Sequence, residues 1–263
     1  MRRQVLRRTA VLLLLLLGLA GCGGSATRSQ ADKDRDGRLI AGAIRAADNE
    51  GARFSLDEAL VLSGGDLPRG QEIRLQSSSR DGQLKAGSAR LTYRLAQGSS
   101  ARDYDMVLAS GALFAKQRST PTWHATPISA TTSLFPALRL DLVRETVLLA
   151  TSISSPVLTH VPAGFAHKYV VKPAPDQLEQ LEAIPVQGRS EAAFLKTAKA
   201  ELDIFLGVPG DRLFRVELHL SGTDPSDGSK QQVDSAIDLR SGRVDAIKPP
   251  DRAVSVSPAE ILG

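Results

Sequence analysis

The chain has 263 residues, of which 42% are hydrophobic and only 4% aromatic, and its formal net charge is +4. Four of the 33 Lys+Arg residues lie within the first eight positions, and the rest balance the 29 Asp+Glu residues. A neutral body lacks the basic field that nucleic-acid phosphates require, so we expect no nucleic-acid partner. The length suits one large domain or two small ones, with a core built from aliphatic side chains.

The first 21 residues have the order of a secretory signal peptide. Arginines at positions 2, 3, 7 and 8 precede an apolar run over 11–20, and Leu19-Ala20-Gly21-Cys22 follows. As a helix, this run reaches roughly 15 Å, too short for a hydrocarbon core of about 30 Å. Leu-Ala-Gly-Cys resembles the lipobox of bacterial lipoproteins, which implies cleavage before Cys22 and its acylation. The alternative is an ordinary secretory cleavage beside a chance cysteine, the single one in the chain.

Residues 22–38 are small and charged without an apolar period, which predicts a lipidated flexible tether. Within it, residues 32–37 read Asp-Lys-Asp-Arg-Asp-Gly, like the start of an EF-hand calcium loop. The closing acid of such a loop falls at Ala43, so we interpret this stretch as a solvated linker. The folded domain is expected over 39–252, and residues 253–263 are expected to form an irregular tail.

The first half of the domain shows a helix followed by alternating strands. Apolar residues from Leu39 to Ala47 recur at helical spacing and predict a short amphipathic helix. An Asp-Gly pair within Arg80–Gln83 and Ser110-Gly111 predict tight hairpins. Period-two alternation predicts strands that begin near Phe54, Ile73, Leu91, Tyr104 and Leu113.

The second half begins with a helix from Ser133, with an apolar stripe of Leu134, Leu138, Leu142, Thr146 and Leu149. A strand over 164–171 and a helix near 190–200 follow. Four further strands are predicted over 202–206, 213–220, 232–239 and 244–247. The fold class is therefore α+β, a curved antiparallel sheet with helices packed on its concave face. Whether the two runs of strands form one sheet or two stays open.

Three stretches are similar to those of a known family. Residues 110–116 read Ser-Gly-Ala-Leu-Phe-Ala-Lys and precede Thr122-Trp123-His124, while Glu201–Leu220 and Asp238–Pro250 read as two late hairpins. With the lipobox and the order of elements, they resemble the LppX/LprAFG lipoproteins of mycobacteria, which share the half-barrel of the LolA/LolB carriers. The resemblance spans about 38–252. It implies an open barrel around an apolar cavity that carries acyl chains of lipids, glycolipids or lipoproteins between membrane compartments.

A cavity for acyl chains needs apolar walls, because each buried methylene contributes about 0.8 kcal/mol. The same side chains equally suit a dry core, and the resemblance alone favours a cavity. The candidate wall residues are Phe54, Leu56, Leu75, Tyr93, Met106, Leu108, Leu134, Leu138 and Leu142, with Phe165 and Tyr169 at the rim.

We therefore expect a lipid-anchored protein on the exported side of a cell membrane or outer membrane that binds and transports lipid or glycolipid. The alternatives are a lipid sensor or a structural interaction lipoprotein, each acting through an envelope protein partner. No enzyme is expected, because the sequence has no Gly-x-Ser-x-Gly elbow, phosphate loop or dinucleotide-binding turn. No metal or cofactor is expected either, because the histidines lack metal-ligand spacing: His124, His160, His167 and His219.

Overall fold

The computed structural model describes residues 29–127, 138–174, 177–178, 197–257 and 260–261. The signal peptide, Cys22, Leu134 and most of the helix predicted near 190–200 lie outside the described residues. The helices are α1 (Gln30–Glu50) and α2 (Leu140–Leu148). The strands are β1 (Ala52–Ser63), β2 (Glu72–Lys85), β3 (Ser88–Gln97), β4 (Ser100–Ala109), β5 (Ala112–Gln117), β6 (His124–Pro127), β7 (Ser152–Ile153), β8 (Val157–Val161), β9 (Gly164–Lys172), β10 (Lys199–Gly207), β11 (Arg212–Thr223), β12 (Lys230–Ser241) and β13 (Val254–Ser255).

These strands form one curved, unclosed sheet in the order β13-β6-β5-β4-β3-β2-β1-β12-β11-β10-β9-β7, and β8 also pairs with β9. The described neighbours are antiparallel except β13, which runs parallel to β6. The long pairing of β1 with β12, from Ala52↔Ser241 to Ser63↔Lys230, joins the two runs of strands. The fold is therefore α+β and half-barrel-like, with one sheet rather than two.

Helix α1 begins earlier than the sequence predicts. The Ser29 hydroxyl accepts a hydrogen bond from the Asp32 amide (3.1 Å) and donates one to the Asp32 carboxylate (2.7 Å), an N-terminal cap. Residues 30–38 are consequently helical rather than a flexible tether, and Asp36 and Gly37 are buried. The stretch over 32–37 is neither a solvated linker nor a calcium loop, because a continuous helix cannot wrap its side chains around one ion.

The hairpin predicted at Arg80–Gln83 is wrong. These residues lie inside β2, where the pairing register shifts between Ser78 and Gln83. A Cβ added at Gly82 would overlap the ring of Phe54, so this glycine makes room for an aromatic ring and makes no turn. The chain instead turns at Ala86-Gly87, where φ is 49° and 72°. The Ser110-Gly111 turn is confirmed, with φ of 54° and 74°.

The predicted strand over 244–247 and the closing strand pair are also wrong. Both edges of β12 are already paired, with β1 and with β11, so no edge is left for a following strand. Val244 is instead buried, and its carbonyl accepts a hydrogen bond of 2.8 Å from Lys85 Nζ. The tail is less irregular than predicted, because Val254–Ser255 pairs with β6 as β13.

Helix α2 turns a different face inward from the one predicted. It buries Leu140, Val143, Thr146 and Val147, whereas Leu149 is exposed. The buried positions are i, i+3, i+6 and i+7 from Leu140, and Thr146 belongs to both the predicted and the observed set. Both helices contribute buried side chains to one hydrophobic cluster with the sheet, among them Ile40 and Ile44 of α1.

Candidate functional site

One face of the sheet is apolar because side chains alternate along each strand. Phe54 and Leu56 of β1 point to the same side as Ile237 and Leu239, their partners on β12. These four belong to the main apolar cluster, which extends from β1 to β5, across β9 to β12 and onto both helices. This face is the place to look for an apolar ligand site.

The structure brings most of the predicted wall residues together in the main apolar cluster. They are almost without solvent exposure: Phe54, Leu56, Tyr93, Met106, Leu108, Leu138 and Tyr169. Leu142 is partly buried on α2, while Phe165 is 61% exposed on the β8–β9 hairpin and packs edge-on against His160. Whether any of them touches a ligand stays a prediction.

A second apolar cluster lies at the other end of this face. It consists of Leu60 and Leu62 of β1, Leu220 of β11 and Val233 of β12. Leu75, the remaining predicted wall residue, packs against it and is only partly buried, as are Ile73, Ala198 and Ala200. Within the described residues, neither α1 nor α2 contributes a side chain to this second cluster. That end of the apolar face is therefore not sealed by these two helices.

Polar side chains divide the two clusters. Glu58 lies on β1 between Leu56 and Leu60, opposite Ser77 of β2 and Ser235 of β12. The serine hydroxyls donate hydrogen bonds of 3.0 and 3.1 Å to its carboxylate. Burial nevertheless raises the pKa of Glu58 to about 7, because two neutral donors only partly replace water.

Tyr93 adds a phenol to this row. Burial and the Glu58 carboxylate both raise the pKa of its hydroxyl, while a hydrogen bond with Ser77 lowers it. A carboxyl, two serines and a tyrosine thus form a polar row across an otherwise apolar face. The sequence signals this row only through Glu58, the single break in the alternation of β1.

The opposite, polar face carries grooves rich in charge. One groove of about 580 Å³ is lined by side chains of β1, β2, β3, β11 and β12, including Asp57, Arg94, Arg215 and Asp234. The imidazole of His219 faces it. Burial lowers the pKa of His219, but a hydrogen bond with Asp234 and the carboxylates of Asp203 and Glu217 raise it overall. Sequence reasoning missed this group of acids around a histidine.

The fold and its apolar face place the chain among α+β proteins with an open, half-barrel-like sheet. No helix within the described part of the chain is long and apolar enough to cross a membrane.

Several solved structures are similar to it. Lipoprotein LppX of Mycobacterium tuberculosis is 11% identical with a TM-score of 0.40, covering 79% of this chain and 94% of its own. LprF of Mycobacterium bovis is 9% identical with a TM-score of 0.42, covering 82% and 96%. Lipovitellin, from a structure that describes lipid–protein interactions, is 12% identical with a TM-score of 0.27, covering 80% and 27%. No protein-family model and no curated protein matches the sequence. Likenesses at this level concern the fold and do not identify a function.

Proposed function

We propose that this chain is an exported envelope lipoprotein, anchored through Cys22, that binds the acyl chains of a lipid or glycolipid against the apolar face of its sheet. Transport of that lipid across the envelope is the activity proposed, and no residue is assigned a catalytic role. The anchor rests on the Leu-Ala-Gly-Cys motif. The lipid site rests on the second apolar cluster.

The observation that carries the proposal is a second apolar cluster to which neither α1 nor α2 contributes a side chain within the described residues. Leu60, Leu62, Leu220 and Val233 are themselves buried, while Ile73 and Leu75 beside them keep partial exposure. An acyl chain laid along this end of the sheet would remove that surface from water, at about 25 cal/mol per Å². Most of the binding energy then comes from buried methylenes.

The polar row gives such a ligand an orientation. Glu58, Ser77 and Ser235 supply hydrogen-bonding groups at the inner limit of the second cluster. A ligand with hydroxyls, such as a glycerol or sugar head group, could donate to the Glu58 carboxylate while its chains lie on Leu60 and Leu75. A purely aliphatic ligand would leave those groups unmatched and bind less well.

A second candidate is a lipoprotein that acts through a protein partner. The β8–β9 hairpin exposes Leu158 (60%) and Phe165 (61%), and Val157 on its other side is 62% exposed. Large apolar side chains clustered at one end of a sheet are typical of interaction surfaces. This surface and the second apolar cluster lie on different strands, so mutation can separate the two functions.

Native mass spectrometry of residues 29–263, purified gently from a bacterial host, tests the proposal. We expect bound lipid that leaves only on denaturation. Leu75→Glu places a charge in the second cluster and is expected to reduce bound lipid at least tenfold. Leu158→Glu introduces the same charge on the exposed β8–β9 hairpin and is expected to leave the amount of bound lipid unchanged. A bare mass with no uptake of added phospholipid or glycolipid would exclude the carrier and favour the interaction lipoprotein.

A further inference from the structure

Three ionisable side chains meet on the polar face of the sheet, on two neighbouring strands. Asp203 of β10 pairs directly with Glu217 of β11, and His219 stands two residues further along β11. Residues two apart on a strand face the same side, so all three side chains converge. One ligand atom from each lies within 4.8 Å of the other two. This group cannot be recognised from the sequence, because Asp203 on β10 is separated from Glu217 and His219 by the turn between the two strands.

The histidine is held in the orientation that metal-binding imidazoles adopt. Its Nδ1 lies 2.7 Å from Asp234 Oδ1, and because a carboxylate only accepts hydrogen bonds, Nδ1 carries the proton. Nε2 lies 3.7 Å from Glu217 Oε2 and 3.9 Å from Asp203 Oδ2, and it is the nitrogen that a metal ion would take, with release of any proton that it carries. A carboxylate that orients a histidine in this way is the usual outer contact of a protein metal site.

The burial of Asp203 is an independent observation that points to a cation. Asp203 is only 3% exposed, and its Oδ1 has no hydrogen-bond partner. Its Oδ2 contacts the Lys168 ammonium, which also lies over the ring of Phe205. A buried carboxylate oxygen without a donor is costly, and a cation bound by this carboxylate would reduce that cost.

The remaining charges leave room for a divalent ion. Arg215 is paired with Asp238 through Nη1 and with Glu217 Oε1 through Nε, so Glu217 Oε2 is left facing His219. Lys168 and Arg215 are cations of this group, and its acids include Asp203, Glu217, Asp234, Asp238 and also Glu201, which pairs directly with His219 across β10 and β11. Carboxylates from β10, β11 and β12 therefore surround His219, which favours the binding of a cation.

We propose that Asp203, Glu217 and His219 bind a divalent transition-metal ion of the Zn²⁺ class, with water completing a tetrahedral site. Metal–ligand bonds of about 2.1 Å set tetrahedral ligands about 3.4 Å apart, so the observed 3.7 and 3.9 Å need only small side-chain rotations. One imidazole with two carboxylates favours Zn²⁺, Co²⁺ or Ni²⁺ over Ca²⁺ or Mg²⁺, which take six or more oxygens. Lys168 moves off Asp203 when the ion enters.

This site stands apart from the proposed lipid function. It lies on the face opposite Glu58 and the apolar clusters, and its ligands sit on paired strands rather than loops. Metal binding and lipid binding can therefore succeed or fail separately.

The test is a titration of the full chain, purified in detergent and freed of metal with a chelator, with Zn²⁺ by calorimetry and Co²⁺ by visible absorption. We expect one equivalent of either ion and Co²⁺ bands of a tetrahedral site. His219→Ala is expected to weaken binding at least a hundredfold, whereas the matched His160→Ala, an exposed histidine on β8, is expected to change nothing.

A second variant separates loss of metal binding from misfolding. Asp234 is 42% exposed in its side chain, so Asp234→Asn is expected to fold normally and to weaken Zn²⁺ binding about 10- to 100-fold by releasing the imidazole. Absence of a stoichiometric Co²⁺ complex, or a complex that survives both His219→Ala and Asp234→Asn unchanged, would overturn the proposal.

Discussion

Glu58 places an ionisable group where the surrounding strands offer mostly hydrocarbon. Its pKa of about 7 in the folded chain, against an ordinary value of 4.5, means that folding disfavours the charged form. Below about pH 4.5 the carboxyl is protonated in both states and costs nothing. As pH rises from 4.5 to 7, the unfolded chain releases the proton and the folded chain retains it, so stability falls through this window. The loss between pH 5 and pH 8 is at most about 2.5 kcal/mol, since partial exposure screens the charge.

Glu58→Gln is therefore expected to stabilise the protein at pH 8 by about 2 kcal/mol and to have little effect at pH 5. The amide retains an acceptor for one serine and a donor for the other, so only the charge is removed. Urea denaturation at both pH values measures the difference. Asp57→Asn is the matched control, because Asp57 directly precedes Glu58 on β1 and is exposed on the polar face. Equal pH dependence in wild type and Glu58→Gln would show that the carboxyl is hydrated in the folded chain.

At the scale of elements, strand β2 shows how a local pattern can be misleading. Asp81-Gly82 has the composition of a tight turn, yet it lies within the strand opposite Phe54. The ring of Phe54 covers Gly82, and this contact joins residues far apart in sequence. A glycine allows a tight turn but does not require one. Its contact with Phe54 on the neighbouring strand determines that Gly82 lies in a strand instead.

Gly82→Ala is expected to destabilise the protein by about 1–3 kcal/mol, because the new methyl group displaces the Phe54 ring from the main apolar cluster. Gly42→Ala is the control, because a Cβ added at that position would meet no atom within 4 Å apart from its chain neighbours and the backbone of its own helix. This change is expected to raise the free energy of unfolding by about 0.5–1 kcal/mol. Thermal and urea unfolding measure both. Combining Gly82→Ala with Phe54→Leu should cost less than the sum of the two single changes. Strict additivity would mean that the ring does not occupy this space.

At the scale of the whole molecule, the sequence predicts local features such as the positions of individual strands. Alternation located most of the strands of both runs, and it singled out Glu58 as the exception in β1. It could not predict that β1 pairs with β12, because that register joins the two ends of the domain. The same limit hid the convergence of Asp203 with His219. Most of the predicted wall residues are buried in one apolar cluster, but hydrophobicity alone does not distinguish a ligand cavity from a filled core, and their role as walls stays a prediction.

In the proposed function, attachment to a membrane depends on one atom, the sulfur of Cys22. Two or three acyl chains, at about 0.8 kcal/mol per buried methylene, hold a protein on a bilayer. We expect wild-type protein to incorporate radiolabelled palmitate and to sediment with membranes. Cys22→Ser is expected to lose the label and to retain residues 1–21, because lipoprotein cleavage follows acylation.

The control is Ser25→Ala, three positions later, which is expected to be labelled and cleaved like wild type. Labelling and intact mass distinguish the two signals that the N-terminus permits. An ordinary secretory signal would give an unlabelled wild type, cleavage of Cys22→Ser and release of both proteins from the membrane. Since the cysteine is the single thiol of the chain, loss of label in Cys22→Ser assigns a thiol-dependent lipid modification to this residue without further mapping.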